Sequence, residues 1–164
     1  MKAFHAFLVL FLICFTVSCG TIYGVQYNYD KQVDFESLKT YDWMTVPEKA
    51  AIDSPNFERV KKAVNTELQA KGLMITSNNP DFLIAQHLGK KGKEQVLAGG
   101  GRNSAYKYEE GSLILDFVDA KSKEIIWRGV VKAEVTYADT PEKKEKLVNE
   151  AIQKILEKFP PKSK

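Results

Sequence analysis

The sequence predicts an α+β domain, an antiparallel β-sheet packed by two α-helices in a two-layer sandwich. Three observations carry that expectation. Several short segments alternate apolar and polar residues with period two, as half-buried strands do. Two longer segments repeat apolar residues at steps of three and four, each opened by a capping residue and a proline. The stretch from Gly111 to Tyr137 carries enough pattern to set its own pairing register.

The chain starts Met1-Lys2 and then runs apolar from Ala6 to Val17. A spanning helix needs roughly 20 apolar residues. The run is shorter and reads as a secretory signal peptide over residues 1–18. Its end, Thr16-Val17-Ser18-Cys19, resembles a bacterial lipobox, with Thr16 where leucine is commonest. The resemblance implies cleavage before Cys19, a diacylglyceryl group on its sulfur and acylation of its amine. One acyl chain binds a membrane marginally, whereas two or three hold stably. Gly20 stands where an aspartate would retain a lipoprotein at the inner membrane, and points by analogy to the periplasmic side of the outer membrane. The alternative is an ordinary signal peptide beside a coincidental cysteine.

The expected layout is signal peptide 1–18, lipidated cysteine and short tether 19–24, one α+β domain 25–160 and a tail 161–164. With the first strand taken from Val25, the tether spans at most about 20 Å, so the domain sits close to the bilayer. Cys14 leaves with the signal and Cys19 is acylated, so no disulfide is available. A chain of this size buries about two thirds of its unfolded surface and can build a core without one. The formal charge is +3, and +2 once Lys2 is removed. That balance, like the export signal, argues against a nucleic-acid partner.

Tyr23, Val25, Tyr27 and Tyr29 share one parity of a first strand. Lys39–Met44 forms a second, and Pro47 closes it. Ser54-Pro55 opens a helix whose face is Phe57, Val60, Val64 and Leu68, and Gly72 stops it. Leu73–Thr76 is a short strand and Ser77–Asp81 a turn. Phe82–Ala85 is apolar on both faces, as a central strand covered on both sides would be, and turns polar at Gln86 and His87. Gly99–Ser104 reads as a mobile loop. In the hairpin, Leu113 faces Val131, Leu115 faces Gly129, Phe117 faces Trp127 and Asp116 faces Arg128. A one-residue slip would mix the two faces. The register calls for an odd-length turn around Lys121-Ser122-Lys123. Thr140-Pro141 opens a second helix with the stripe Leu147, Val148, Ala151, Ile152, Ile155, Leu156 and Phe159, ended by Pro160-Pro161.

Taken in order, Tyr27-x-Tyr29-Asp30, Val33-Asp34-Phe35, Lys39-Thr40-Tyr41-x-Trp43, Asp81-Phe82-Leu83-Ile84, Glu110–Asp116, Trp127-Arg128-Gly129 and Ala151–Pro160 form a recognisable series. The set resembles the bacterial lipoproteins grouped as domain of unknown function 4136, over nearly the whole chain after Cys19. The resemblance implies an envelope lipoprotein with an α+β domain, and it implies no reaction.

No catalytic residue, metal site or cofactor is expected. Beyond the signal the chain has one histidine, His87, and the acylated Cys19, too few for a zinc site or a Cys–His pair. No Gly-x-Ser-x-Gly elbow is present, and no Lys-Ser/Thr follows Gly99-Gly100-Gly101 to make a phosphate loop. Glu109 and Glu110, adjacent in a strand, face opposite ways. Three binding candidates remain. Lys90, Lys91, Lys93, Arg102 and Lys107 flank the glycine loop, which is either a solvated tip or a contact for anionic headgroups or envelope glycans. Asp116 and Arg128 make either a cross-strand ion pair or a polar spot where a ligand docks. Tyr23, Tyr27, Tyr29, Tyr41 and Trp43 are sheet core or a binding platform.

The functional expectation is a non-enzymatic lipoprotein anchored to the membrane, a structural or interaction module holding an envelope protein or glycan. The alternatives are a carrier with an apolar pocket between helices and sheet and, remotely, an envelope hydrolase. The sequence is silent on oligomeric state.

Overall fold

The computed structural model describes residues 22–45, 54–99, 102–135 and 139–161. The signal segment 1–18 and Cys19 lie outside the described residues, as do the side chains at 94–108. The elements are β1 (Ile22–Tyr29), β2 (Thr40–Trp43), α1 (Ser54–Ala70), β3 (Met74–Ile75), β4 (Phe82–Gly99), β5 (Arg102–Asp119), β6 (Ile125–Val135) and α2 (Pro141–Leu156).

The six strands form one sheet in the order β1-β6-β5-β4-β2-β3. The sheet is mixed, which corrects the purely antiparallel expectation. β2 runs parallel to both β3 and β4, and the other pairings are antiparallel. The cause is the connection: α1 lies between β2 and β3, and a helical crossover returns the chain in its original direction.

The hairpin register holds as the side-chain pattern demands. Leu113 pairs with Val131, Leu115 with Gly129, Asp116 with Arg128 and Phe117 with Trp127. The turn differs from expectation. A bulge after Phe117 brings Val118 opposite Ile125, and Asp119 closes on Glu124 with an amide-to-carbonyl bond of 2.9 Å. The loop inside is therefore even, Ala120 to Lys123, with Lys123 at φ 64°. The Asp119 carboxylate accepts from the Lys121 and Ser122 amides at 2.9 and 2.7 Å, which stabilises the tight turn.

The stretch expected to be a loop is largely strand. Gly99 pairs with Arg102 and Leu97 with Ser104, so β4 and β5 are 18 residues each. β6 ends at Val135, opposite Glu109. Beyond that point, among the described residues, β4 and β5 continue as a two-stranded ribbon.

Residues of β2, β4, β5 and β6 build the strand side of the core: Tyr41, Phe82, Ile84, Leu115, Phe117 and Trp127 are fully buried. They join Val60, Val64 and Leu68 of α1 and Ile152, Ile155 and Leu156 of α2 in one cluster. Phe159 lies just past the end of α2 and is central to this cluster. It sits edge-on to Phe117 at 4.7 Å, Trp127 at 5.5 Å and Phe35 at 6.0 Å. Such pairs contribute about 0.5–1.5 kcal/mol beyond area burial.

The C-terminus of α1 and the N-terminus of α2 match their sequence signals, whereas α2 ends at Leu156 rather than running through Phe159 to Pro160. Gly72, at φ 85°, lets Leu73 N–H reach Leu68 carbonyl and Gly72 N–H reach Gln69 carbonyl, which closes α1. Thr140 Oγ1 accepts from Lys143 N–H at the start of α2. Polar ties hold β2 in place. Asn65 Oδ1 accepts from Trp43 Nε1 and Tyr41 Oη at 3.0 and 3.2 Å. Asp81 Oδ2 accepts from the Lys39 amide and from both the amide and hydroxyl of Thr40, at 2.8–2.9 Å.

β1 begins at Ile22 rather than Val25, because Ile22 pairs with Ala133 across a bulge. The bulge separates Tyr23 from the parity of its neighbours. Tyr41 is buried, Tyr29 and Trp43 are half-buried, and Tyr23 and Tyr27 are exposed on the edge strand. The five aromatics therefore make neither a shared core nor a shared platform.

Candidate functional site

The sheet face away from the core is where the chain places its polar centre. Leu83, Ala85, Ile114 and Val130 are half-buried there. This corrects the expectation that Phe82–Ala85 is covered on both sides: Phe82 and Ile84 are buried, Leu83 and Ala85 only partly. Asp116 is 3% exposed in the middle of this face. Arg128, directly opposite on β6, donates Nε–H to Oδ1 at 2.5 Å and Nη2–H to Oδ2 at 2.7 Å. His87 Nε2 lies 3.5 Å from Oδ2 on the other side. Hydrogen bonding to Asp116 and its charge raise the Arg128 pKa above the ordinary arginine value. The forked geometry matches the planar guanidinium to the carboxylate. A carboxylate thus sits in an apolar strand with a guanidinium on one flank and an imidazole on the other.

A second polar cluster lies along the same face. Tyr23 Oη donates to Glu110 Oε2 at 2.7 Å, and Lys93 Nζ and Lys132 Nζ lie 3.7 and 3.8 Å from the carboxylate. The Tyr23 bond first, then the lysine charges, hold the Glu110 carboxyl below its usual range. Tyr23 earns this place through the β1 bulge, which period-two reading does not register.

The basic residues do not surround a loop. Strand pleating puts Lys91 and Lys93 on the face of Glu110, and Lys90 on the opposite one. Lys107 stands opposite Glu94 and Arg102 opposite Gly99 in the ribbon, with side chains outside the described ones. Gln86 points into the core, where its Nε2–H donates to the Phe57 carbonyl at 3.2 Å.

Between the helices and the sheet, at the ribbon end, lies an apolar hollow of about 130 Å³. Val60, Leu113, Val131, Ala133, Val148 and Ala151 line it, with Lys90, Glu109 and Lys144 also on its wall. Among the described residues no group of three or more His, Cys, Asp or Glu side chains could hold a metal ion, and no helix is long and apolar enough to cross a membrane.

The family model for "Domain of unknown function (DUF4136)" matches residues 25–161. The chain belongs to this family. No curated protein matches it. Among solved structures, the DUF4136 chain is similar to a PDZ domain protein from Parabacteroides distasonis, with TM-score 0.60 and 13% identity, over 88% of this chain and 37% of that one. The chain thus spans little more than a third of that protein. It is similar to PelC, crystallised as a dodecamer, from Paraburkholderia phytofirmans, with TM-score 0.50 and 8% identity over 82% and 96% of the two chains. A minor lipoprotein from Acinetobacter baumannii matches at TM-score 0.43 and 13% identity over 74% and 92%. At these identities the likeness is one of fold.

Proposed function

We propose that this DUF4136 protein is a lipid-anchored protein of the bacterial envelope that works by binding a partner rather than by catalysis. Cys19 carries the lipid, and the domain is held at the periplasmic face of the outer membrane. The observation that carries the binding reading is the sheet face around Asp116 and Arg128. Half-buried Leu83, Ala85, Ile114 and Val130 lie around Asp116, and Arg128, whose side chain is 48% exposed, borders them on β6. An apolar patch bordered by an arginine held in place by a carboxylate has the composition of a protein-binding hot spot. The partner we assign to it is an envelope protein.

Two measurements test this. Photocrosslinking in cells from position 114 should capture one discrete partner, and the same probe at Gln153, exposed on α2, should not. Equal, diffuse labelling from both positions rejects the assigned face. Cys19→Ala should abolish acylation and release the protein from membranes. If that variant is still acylated and membrane-bound, the lipid anchor is elsewhere.

The hollow beside Ala133 favours a second reading, a carrier of a small apolar ligand. At about 130 Å³ it is smaller than common ligand pockets, which hold about 300–1,000 Å³. It suits a short apolar group rather than a whole lipid.

A further inference from the structure

We propose that the β4–β5 ribbon is a second membrane contact, which lies on a bilayer surface containing anionic phospholipid. Three observations lead there. The first is position. Ile22 pairs with Ala133, which in turn pairs with Gly111, two residues from where β6 ends and the ribbon begins. Three residue steps join Cys19 to Ile22, a reach of at most about 11 Å. The lipid therefore attaches at the same end of the domain body from which the ribbon leaves. The ribbon carries on past Glu109 for seven more residues of β5, about 23 Å. The opposite end, at the Ala120–Lys123 turn, is about 27 Å from Gly111 along β5.

The second is charge. The ribbon beyond β6, residues 93–108, holds Lys93, Arg102 and Lys107 against Glu94, a net of +2 from 3 − 1, with Lys90 and Lys91 at its base opposite Gly111 and Glu110. Glu110 offsets part of the Lys93 charge at the base of the ribbon. The third is stability. Among the described residues no third strand pairs with the ribbon beyond Glu109; a two-stranded hairpin is marginal in water, and a charged surface supplies it a support.

This rests on the lipid-anchor reading, and the test separates the two. The acylated full-length protein, carrying a fluorophore on Gln95→Cys or on Lys121→Cys, is reconstituted into phosphatidylcholine vesicles with and without phosphatidylglycerol. Spin-labelled lipid should quench the position-95 probe strongly when phosphatidylglycerol is present and leave the position-121 probe unquenched. Equal quenching of both probes overturns the assignment. So does protection of position 95 that follows protein concentration rather than lipid, because the ribbon's partner is then a second copy of the chain.

The Cys19→Ala chain tests the ribbon without the lipid. It should bind anionic vesicles weakly and salt-sensitively, and Arg102→Gln with Lys107→Gln should weaken that binding about 25-fold, fivefold per charge. Absence of any such binding, or no change on neutralisation, overturns the ribbon assignment even if mass spectrometry finds Cys19 acylated. Binding by a chain whose Cys19 proves unacylated in cells overturns the anchor and leaves the ribbon contact standing.

Discussion

Arg128 grips Asp116 from the neighbouring strand with two parallel hydrogen bonds, at 2.5 and 2.7 Å, and the two ends of this pair are unequally exposed. The carboxylate side chain is 4% accessible and the guanidinium side chain 48%. Removing the arginine strands a buried carboxylate that keeps, among the described residues, His87 at 3.5 Å as its charge-capable neighbour. Removing the carboxylate leaves an arginine that water can solvate. Arg128→Met should therefore cost about 2 kcal/mol, and more than Asp116→Leu. The double variant should recover most of the loss, since replacing a whole buried pair with apolar groups is often neutral. Urea unfolding of the three variants measures this. Crosslinking from position 114 in the stable double variant then separates a structural pair from a docking contact. A structural pair predicts unchanged capture and a docking contact predicts its loss.

Gly129 is a packing requirement. A Cβ at this position would run into the Trp127 indole and lie 2.6 Å from Ile155 Cγ1. Both neighbours are fully buried, so neither can swing into water. Gly129→Ala should destabilise by about 1–3 kcal/mol, the range for overpacked cores. Thermal unfolding would show it, and an unchanged melting temperature would mean that Trp127 can repack.

The hairpin was legible because both its faces carry a pattern: only one register puts Phe117 against Trp127 and Asp116 against Arg128 together. The helices were legible from Ser54-Pro55, Thr140-Pro141 and Gly72. The mixed sheet was missed because β2 and β3 pair through only two residues each, too few to show period or direction. The flanking of a 17-residue helix by two short strands was the usable signal. The ribbon was missed because Gly99-Gly100-Gly101 and the lysines before it carry poor strand propensity, and pairing between β4 and β5 overrides that. The place of Tyr23 beside Glu110 depends on a bulge, and a one-residue insertion reverses every parity argument beyond it.

Asp81 ties the start of β4 to β2, and its carboxyl is held below the usual range, first by the Lys39 amide, then by the Thr40 hydroxyl and amide and the Lys121 charge, against desolvation. A lowered folded-state pKa stabilises above the unfolded value of about 3.9. That contribution is lost as pH falls through the folded-state value. Asp119, lowered first by the Ser122 amide, acts in the same direction. The melting temperature should thus fall below pH of about 4. Asp81→Asn should cost about 1–2 kcal/mol at neutral pH and flatten the acid limb. A limb of unchanged steepness would assign it to other carboxylates.

The hollow beside Ala133 allows the carrier reading to be tested by filling it. Ala133 is 8% exposed on β6 and lines the space. A β-branched residue suits its strand position. Ala133→Ile adds three carbons to a volume of about 130 Å³, so it should improve packing and raise stability by about 1 kcal/mol. If the hollow is a ligand site, a short-chain fatty acid should raise the melting temperature of the parent protein, and the filled variant should lose that shift while being the more stable of the two. If the hollow is only a packing defect, the variant gains stability and neither protein responds to the fatty acid. A response that survives Ala133→Ile places the ligand elsewhere. The interaction reading requires that Ala133→Ile leave crosslinking from position 114 unchanged, because residue 133 belongs to the helix side of the sheet and residue 114 to the open one.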